Sequence, residues 1–258
     1  MRKAPEKWKR KLGFYILCLL TLLALLIYAL SPSLGAFKEG ILVTPSLSGD
    51  TRKSIGPKGS HWTPKESISK NFFHAVIVAE DVNFYSHSGI DLAQIIEAAQ
   101  LNLKESRYVR GASTITQQVI KIATLSSEKT LLRKLREAIG AIRLERMIGK
   151  NEILAWYANL AYFGSGIYGI KDAAQYYFGT TPDRLTISES VHLALILPAP
   201  SVWSESLKNK ILTEFGRKRF TQLVTEMRNN RYITPVQYQA SLSTGNFGRP
   251  VTSIMEHH

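Results

Sequence analysis

From Leu12 to Leu30 the chain reads LGFYILCLLTLLALLIYAL, without one charged residue. At 1.5 Å per residue a helix of that length covers about 28 Å, close to the hydrocarbon thickness of a bilayer. A cleavable signal segment has a shorter apolar core, about 7–15 residues, and ends in a small-x-small site. The run exceeds that length, and Ser31 to Ala36 make a poor cleavage site, so the stretch is predicted to be a retained membrane anchor. Ahead of it stand Arg2, Lys3, Lys7, Lys9, Arg10 and Lys11 against one acid, Glu6. The positive-inside rule keeps residues 1–11 in the cytoplasm as a basic tail and sends everything after Leu30 across the membrane.

That orientation bears on the charge of the remainder. The 258-residue chain carries 33 Lys and Arg against 20 Asp and Glu, a net +13. Such a balance suits nucleic acid, anionic headgroups or phosphorylated substrates. A domain outside the cytoplasm disfavours nucleic acid as the partner. The one cysteine, Cys18, lies inside the apolar run, so an intrachain disulfide and a cysteine-based metal site are excluded.

Residues 31–60 mix Ser, Pro and Gly without a period and read as a linker or neck. Beyond them helical spacing dominates. Apolar positions recur every three to four residues over 67–81, 91–105, 113–125, 129–148, 151–162, 168–178, 186–197 and 207–230. Thr234 followed by Pro235 marks the start of a last short helix. The strand signal is confined to Ile41–Val43. The expectation is an all-α domain over 61–245, with 246–258 as a C-terminal tail.

Several segments place polar groups where burial is expected. In AVIVAEDVNFYSHSGID (75–91) an apolar run meets Glu80 and Asp81. A carboxylate held near a core loses solvation, its pKa rises, and it becomes a better base. Adjacent helical residues diverge by about 100°, so only one of the pair can face a given cleft. Glu80, Phe84 and His87 share a face if the helix continues that far. The plainer reading is a helix end with solvated acids.

RGASTITQQVIK (110–121) crowds Ser113, Thr114, Thr116, Gln117 and Gln118 into a segment built for burial. Buried amides and hydroxyls need hydrogen-bond partners, and a sugar or pyrophosphate supplies them. Gly111 and Ser113 are read as turn and N-cap, and Lys121 falls three residues beyond Gln118. EKTLLRKLREAIGAIRLER (128–146) spaces Lys129, Arg133, Arg136 and Glu137 either for surface ion pairs or for a phosphate clamp. NEILAWYANLAYFGSGIYGIKDAAQYYFG (151–179) is aromatic and glycine-rich, which suits a core. In TISESVHLALILPAP, Glu189 is expected to be a buried structural partner.

Taken in order, these segments resemble the signature motifs of the peptidoglycan glycosyltransferases, glycosyltransferase family 51. EDVNFYSHSG, GASTITQQ, RKLRE (133–137), ILAWYANLAYFGSGIYGIKDAAQYYFG and LTISESVHLALILPAPS (185–201) carry the resemblance, which extends over about residues 60–242. It implies a lysozyme-like, two-lobed all-α domain, a head and a jaw, behind one transmembrane helix. It implies a reaction that joins lipid II units into β-1,4-linked glycan with inversion and release of undecaprenyl diphosphate. Glu80 then corresponds to the general base and Glu137 to a second essential carboxylate. Ser113, Thr114, Gln117, Gln118, Lys121, Lys129, Arg133 and Lys134 correspond to substrate contacts, the cations taking the diphosphate. A divalent cation such as Mg²⁺ accompanies the family, although no metal cage is visible here, and no organic cofactor is expected. The implied partners are lipid II, the growing lipid-linked chain, the cytoplasmic membrane and proteins of a cell-wall synthesis complex.

Three positions depart from the family pattern: Lys129 replaces an Arg, Ile122 an Asn, and Ala158 interrupts a Tyr-Leu-Asn. A lysine keeps the charge but loses the bidentate fork. After residue 242 no Ser-x-x-Lys occurs, so a monofunctional enzyme without a transpeptidase is expected. A muramidase or lytic transglycosylase on a similar fold is the enzymatic alternative, and it needs a general acid rather than a phosphate clamp. A non-catalytic membrane-anchored cell-wall scaffold is the other.

Overall fold

A computed structural model describes residues 6–40, 42–44, 53–59, 61–105, 111–124 and 130–245. Helix α1 (Glu6–Leu30) contains the apolar run and begins upstream of it, so part of the basic tail is helical. Its stretch Lys11–Leu30 is long and apolar enough to cross a membrane, and none of it is buried against the rest of the protein. An anchor needs that exposure, because lipid rather than protein must cover its side chains.

The rest is α-helical: α2 (Gly35–Glu39), α3 (Lys70–Glu80), α4 (Leu92–Lys104), α5 (Ile115–Thr124), α6 (Leu131–Met147), α7 (Lys150–Leu160), α8 (Ile170–Phe178), α9 (Ile187–Ile196), α10 (Pro200–Lys208), α11 (Glu214–Asn229) and α12 (Pro235–Gly245). The strands β1 (Leu42–Thr44) and β2 (Lys53–Ile55) form a small antiparallel pair, with Val43 opposite Ser54. Helix starts follow local chemistry. Ser69, Asp91, Thr130 and Thr213 cap α3, α4, α6 and α11 by accepting a backbone N–H two or three residues on. Thr186 and Glu189 form a reciprocal capping box at α9. Thr234 and Gln237 do the same for α12, where Pro235 occupies the first turn as expected.

Two packing groups result. Helices α3, α9, α10, α11 and α12 pack on one another, and α5 packs between α6 and α7. The first group closes over Phe72, Ile77, Val191, Phe220 and Leu223, all buried.

Three expectations are corrected. Residues 31–60 are not a spacer: Leu34, Phe37 and Ile55 are buried in the main core, and Phe37 meets Trp156 edge-on at 4.9 Å. The Pro, Gly and Ser of this segment mask three well-separated apolar anchors. The single helix read over 207–230 is two, α10 and α11, separated at Lys210, which takes a positive φ of 54°. Glu189 is a half-buried cap rather than a buried partner.

The exit of α1 is clamped to α6. Arg143 Nη1 donates to the Pro32 carbonyl at 3.2 Å. At Gly140 an added Cβ would lie 2.7 Å from the Pro32 ring and 2.9 Å from Ile120. Only a glycine leaves room for the Pro32 ring and the Ile120 side chain so close to the α6 backbone.

Candidate active site

Helix α3 buries Phe72, Ala75, Val76, Ile77 and Val78 and ends when Asp81 leaves helical geometry at φ −160°, ψ 71°. That turn gives the two adjacent acids different partners. Asp81 goes inward, 2% exposed. Its carboxylate accepts from His87 Nε2 at 3.1 and 3.0 Å and from the Ile115 backbone N–H at 3.0 Å. Because the Gly89 N–H donates to His87 Nδ1 at 3.2 Å, the proton of this ring sits on Nε2. The shared face of Glu80, Phe84 and His87 is therefore corrected: the helix stops at Glu80, Phe84 enters the core, and His87 braces Asp81.

Glu80 is left at the helix end, half-buried. Its Oε2 accepts from Gln118 Nε2 at 2.7 Å, and Oε1 is buried without a partner. Burial pushes its pKa above the ordinary 4.5; the Gln118 hydrogen bond and then the Arg219 charge oppose that push, and the neighbouring Asp81 charge adds to it. The balance is a carboxylate that holds its proton more tightly than a solvated one does.

Gln118 is itself oriented. Tyr157, on α7 and 2% exposed, donates from its hydroxyl to Gln118 Oε1 at 3.2 Å. Burial, then the charge of Glu80, raises the tyrosine pKa well above 10, which keeps the phenol a neutral donor.

The N-cap of α5 is Thr114, not Ser113. Thr114 Oγ1 accepts from the Gln117 N–H at 3.1 Å, and Gln117 Oε1 accepts from the Thr114 N–H at 3.0 Å. The Thr114 hydroxyl donates to the Gly89 carbonyl at 2.7 Å. Both residues are about 2% exposed and build the helix start, and Gln117 also lines the cleft that Glu80 enters. Thr116 is likewise engaged, with Glu145 at 2.5 Å.

On α6, Glu137 is 3% exposed and sits between two cations. Arg133 Nη1 donates to Oε1 at 2.5 Å and Lys134 Nζ to Oε2 at 2.9 Å. Lys134 also donates to Ser113 Oγ at 2.6 Å, which ties α6 to the segment before α5. A buried carboxylate flanked this way fixes the direction of both cations. Lys121 is exposed in the last turn of α5. Lys129 lies outside the described residues.

One cleft of about 940 Å³ is lined by Glu80, Ser113, Gln118, Lys121 and Glu137 together. The opposite wall is α11, whose Arg219, Gln222 and Glu226 face the same space, with its C-cap Asn230. Sequence reasoning missed that wall. Its signal was a polar stripe at spacings of three and four, opposite the buried Phe220, Leu223, Val224 and Met227. Among the described residues no three His, Cys, Asp or Glu side chains come together as a metal cage. The cleft therefore sets a carboxylate of raised pKa beside the cations Lys121 and Arg219, with Arg133 and Lys134 behind Glu137 and outside its lining, an arrangement suited to deprotonating a hydroxyl while an anionic group departs.

A family model described as Transglycosylase matches residues 49–228. The chain is 36% identical over 190 residues to penicillin-binding protein 1A of Aquifex aeolicus, covering 74% of this chain and 26% of that protein. It is 34% identical over 222 residues to penicillin-binding protein 1A of Escherichia coli, covering 79% and 26%. It is 38% identical over 156 residues to the biosynthetic peptidoglycan transglycosylase of Paraburkholderia xenovorans, covering 60% and 65%. The chain thus spans about a quarter of the length of the two penicillin-binding proteins.

Proposed function

The chain belongs to the transglycosylase family of peptidoglycan glycosyltransferases, and on that premise we propose that it polymerises lipid II into β-1,4-linked glycan with inversion, using Glu80 as the general base. The observation that carries this reading is the state of one carboxylate. Glu80 has Oε2 fixed by Gln118, while Oε1 is buried, unpartnered and in a cleft that also holds Lys121 and Glu137.

In this mechanism Oε1 takes the proton from the 4-hydroxyl of the acceptor N-acetylglucosamine. The freed oxygen attacks the anomeric carbon of the donor N-acetylmuramic acid from the face opposite its diphosphate. The new C–O bond forms as the bond to the diphosphate oxygen breaks, and undecaprenyl diphosphate leaves with that electron pair. A positioned base contributes about 10²–10⁴-fold. Lys121 and the Arg133–Lys134 pair supply positive charge for the leaving group, and Glu137 holds that pair in place while Ser113 holds Lys134. Such charge stabilisation is strongest when the donors are fixed before the reaction begins. Thr114 acts through the position of α5, and Gln117, which caps that helix, also lines the cleft. Leaving-group stabilisation is assigned to these side chains, and a divalent cation such as Mg²⁺ would add charge at the same diphosphate with few protein ligands.

The anchor supports the same reading, because donor and acceptor are both lipid-linked and share one bilayer with α1. The basic tail favours an N-terminus in the cytoplasm and a catalytic domain on the outer face of the cytoplasmic membrane. The deciding assay supplies lipid II and Mg²⁺ to the full chain and follows glycan polymer. Glu80→Gln is expected to lower the rate by about 10²–10⁴-fold with unchanged helical content. Near-parental polymerisation by that variant overturns the assignment of the base.

A further inference from the structure

Where α1 leaves the apolar region, a second and separate feature forms. Leu34, Gly35 and Lys38 of the α2 segment and Arg143, Arg146 and Met147 of α6 line an open groove of about 580 Å³. Lys38, Arg143 and Arg146 are all exposed. None has an ion-pair partner among the described residues. The acid at its edge is Glu39, whose carboxylate turns back toward Gly35, leaving three cations against one anion.

Arg146 lies nine residues beyond Glu137 on α6, about 180° around the helix axis. The groove therefore opens away from the catalytic cleft, and its residues have no part in the chemistry assigned there.

Its position relative to the bilayer is fixed by the protein. Lys38 follows the last apolar residue of the anchor, Leu30, by eight positions. Arg143 is bonded to the carbonyl of Pro32, two residues after that end, and the Gly140–Pro32 contact permits no spacer between them. These cations are thus held at headgroup depth wherever α1 spans. A groove with apolar walls from Leu34 and Met147, and cations along it, matches a phosphate attached to a glycerolipid better than a free ion. An arginine beside a lysine suits phosphate oxygens, the arginine by its planar fork and the lysine as a point charge.

We propose that this groove binds the headgroup phosphate of an anionic phospholipid from the membrane that α1 crosses, and so sets the tilt of the catalytic domain on the bilayer surface. Each Lys or Arg near a negative surface strengthens such binding about fivefold, and the effect weakens with salt.

The test uses the full chain in phosphatidylcholine nanodiscs containing increasing phosphatidylglycerol, and reads the thermal unfolding midpoint. The wild type is expected to gain stability with phosphatidylglycerol in a saturable way. Lys38→Ala with Arg146→Ala is expected to need roughly thirtyfold more of it for half the gain. Arg143 is left in place because it also holds Pro32. The double variant should unfold like the wild type in phosphatidylcholine alone, which checks its fold. Should it fail that check, the single variant Arg146→Gln replaces it, with about a fivefold shift expected. An unchanged phosphatidylglycerol response in a folded variant overturns the site. So does an equal gain from inorganic phosphate, which would make it a free-anion site, or from phosphatidylcholine alone.

Discussion

The side-chain amide of Gln118 donates from Nε2 to Glu80 Oε2 at 2.7 Å, while its oxygen accepts from the Tyr157 hydroxyl at 3.2 Å. An amide can present either end to a neighbour, and a carboxylate needs the donor end. The buried phenol, a donor that cannot ionise near neutrality, settles which end faces Glu80. Tyr157 thus acts on the proposed base from two hydrogen bonds away as a positioning residue.

Tyr157→Phe keeps the ring in its pocket and deletes that donor. Leaving the Gln118 oxygen unpaired costs about 1–3 kcal/mol, and the amide is freed to turn away from Glu80. Because the Gln118 bond lowers the Glu80 pKa, its loss raises that pKa further. In the proposed mechanism the base works deprotonated, so the acid limb of the polymerisation pH profile should move to higher pH. A variant with the wild-type limb and a normal unfolding midpoint contradicts the relay.

Arg219→Ala makes a related test from the opposite wall. The Arg219 charge also lowers the Glu80 pKa, so its removal should shift the acid limb upward. Unlike the hydrogen bond, this influence acts through space and is screened by ions. The gap between wild-type and variant limbs should narrow on going from low salt to about 1 M, where the Debye length is about 3 Å. For Tyr157→Phe the gap should persist.

How much of this was legible beforehand depends on the range of each interaction. Apart from α10, the helices of residues 70–229 announced themselves through spacing and caps, because both are local. Glu80 was singled out because an apolar helix ran straight into it. The choice between Glu80 and Asp81 was not legible from spacing alone. It is made by one backbone turn at Asp81 and by the Ile115 N–H, which lies 34 residues away in sequence. The capping role of Thr114 and Gln117 was hidden because capping boxes and binding loops draw on the same residue types. Arg219 was hidden because an exposed charge on a helix resembles every other until the opposite wall is known. The neck was misread because Leu34, Phe37 and Ile55 follow no period, and only the shape of the receiving surface around Trp156 unites them.

Thr114→Ala tests whether that residue builds the scaffold. It removes a cap and the hydroxyl donated to the Gly89 carbonyl. Stability should fall by about 0.5–2 kcal/mol, read from urea unfolding of the purified protein. Thr114→Ser restores both hydrogen bonds and should recover most of the loss. If alanine instead raises the KM for lipid II at unchanged stability, Thr114 touches substrate after all.

His192 makes the stability of this domain depend on pH in a definite direction. It is fully buried in α9, stacks on Phe220 with ring centres 4.7 Å apart, and donates from Nδ1 to the Ser188 carbonyl at 2.7 Å. Burial depresses its pKa from 6.5 to about 4, and the hydrogen bonds to the Ser188 and Gly245 backbone only partly oppose this. The folded state thus takes up this proton later than the unfolded chain. The stabilisation is complete above 6.5 and is lost as pH falls toward 4, by about 3 kcal/mol at 1.36 kcal/mol per pKa unit. His74, whose pKa is lowered by burial and then by Lys70, pulls the same way. Glu80 pulls the opposite way, since its raised pKa favours the fold at low pH and withdraws that help as pH rises through the folded value. Subtracting the urea-unfolding free energies of Glu80→Gln from those of Glu80→Gln/His192→Gln, point by point between pH 4 and 7, cancels both other groups. The difference should shrink on acidification across that window, and a difference independent of pH would show that His192 is not held neutral in the fold.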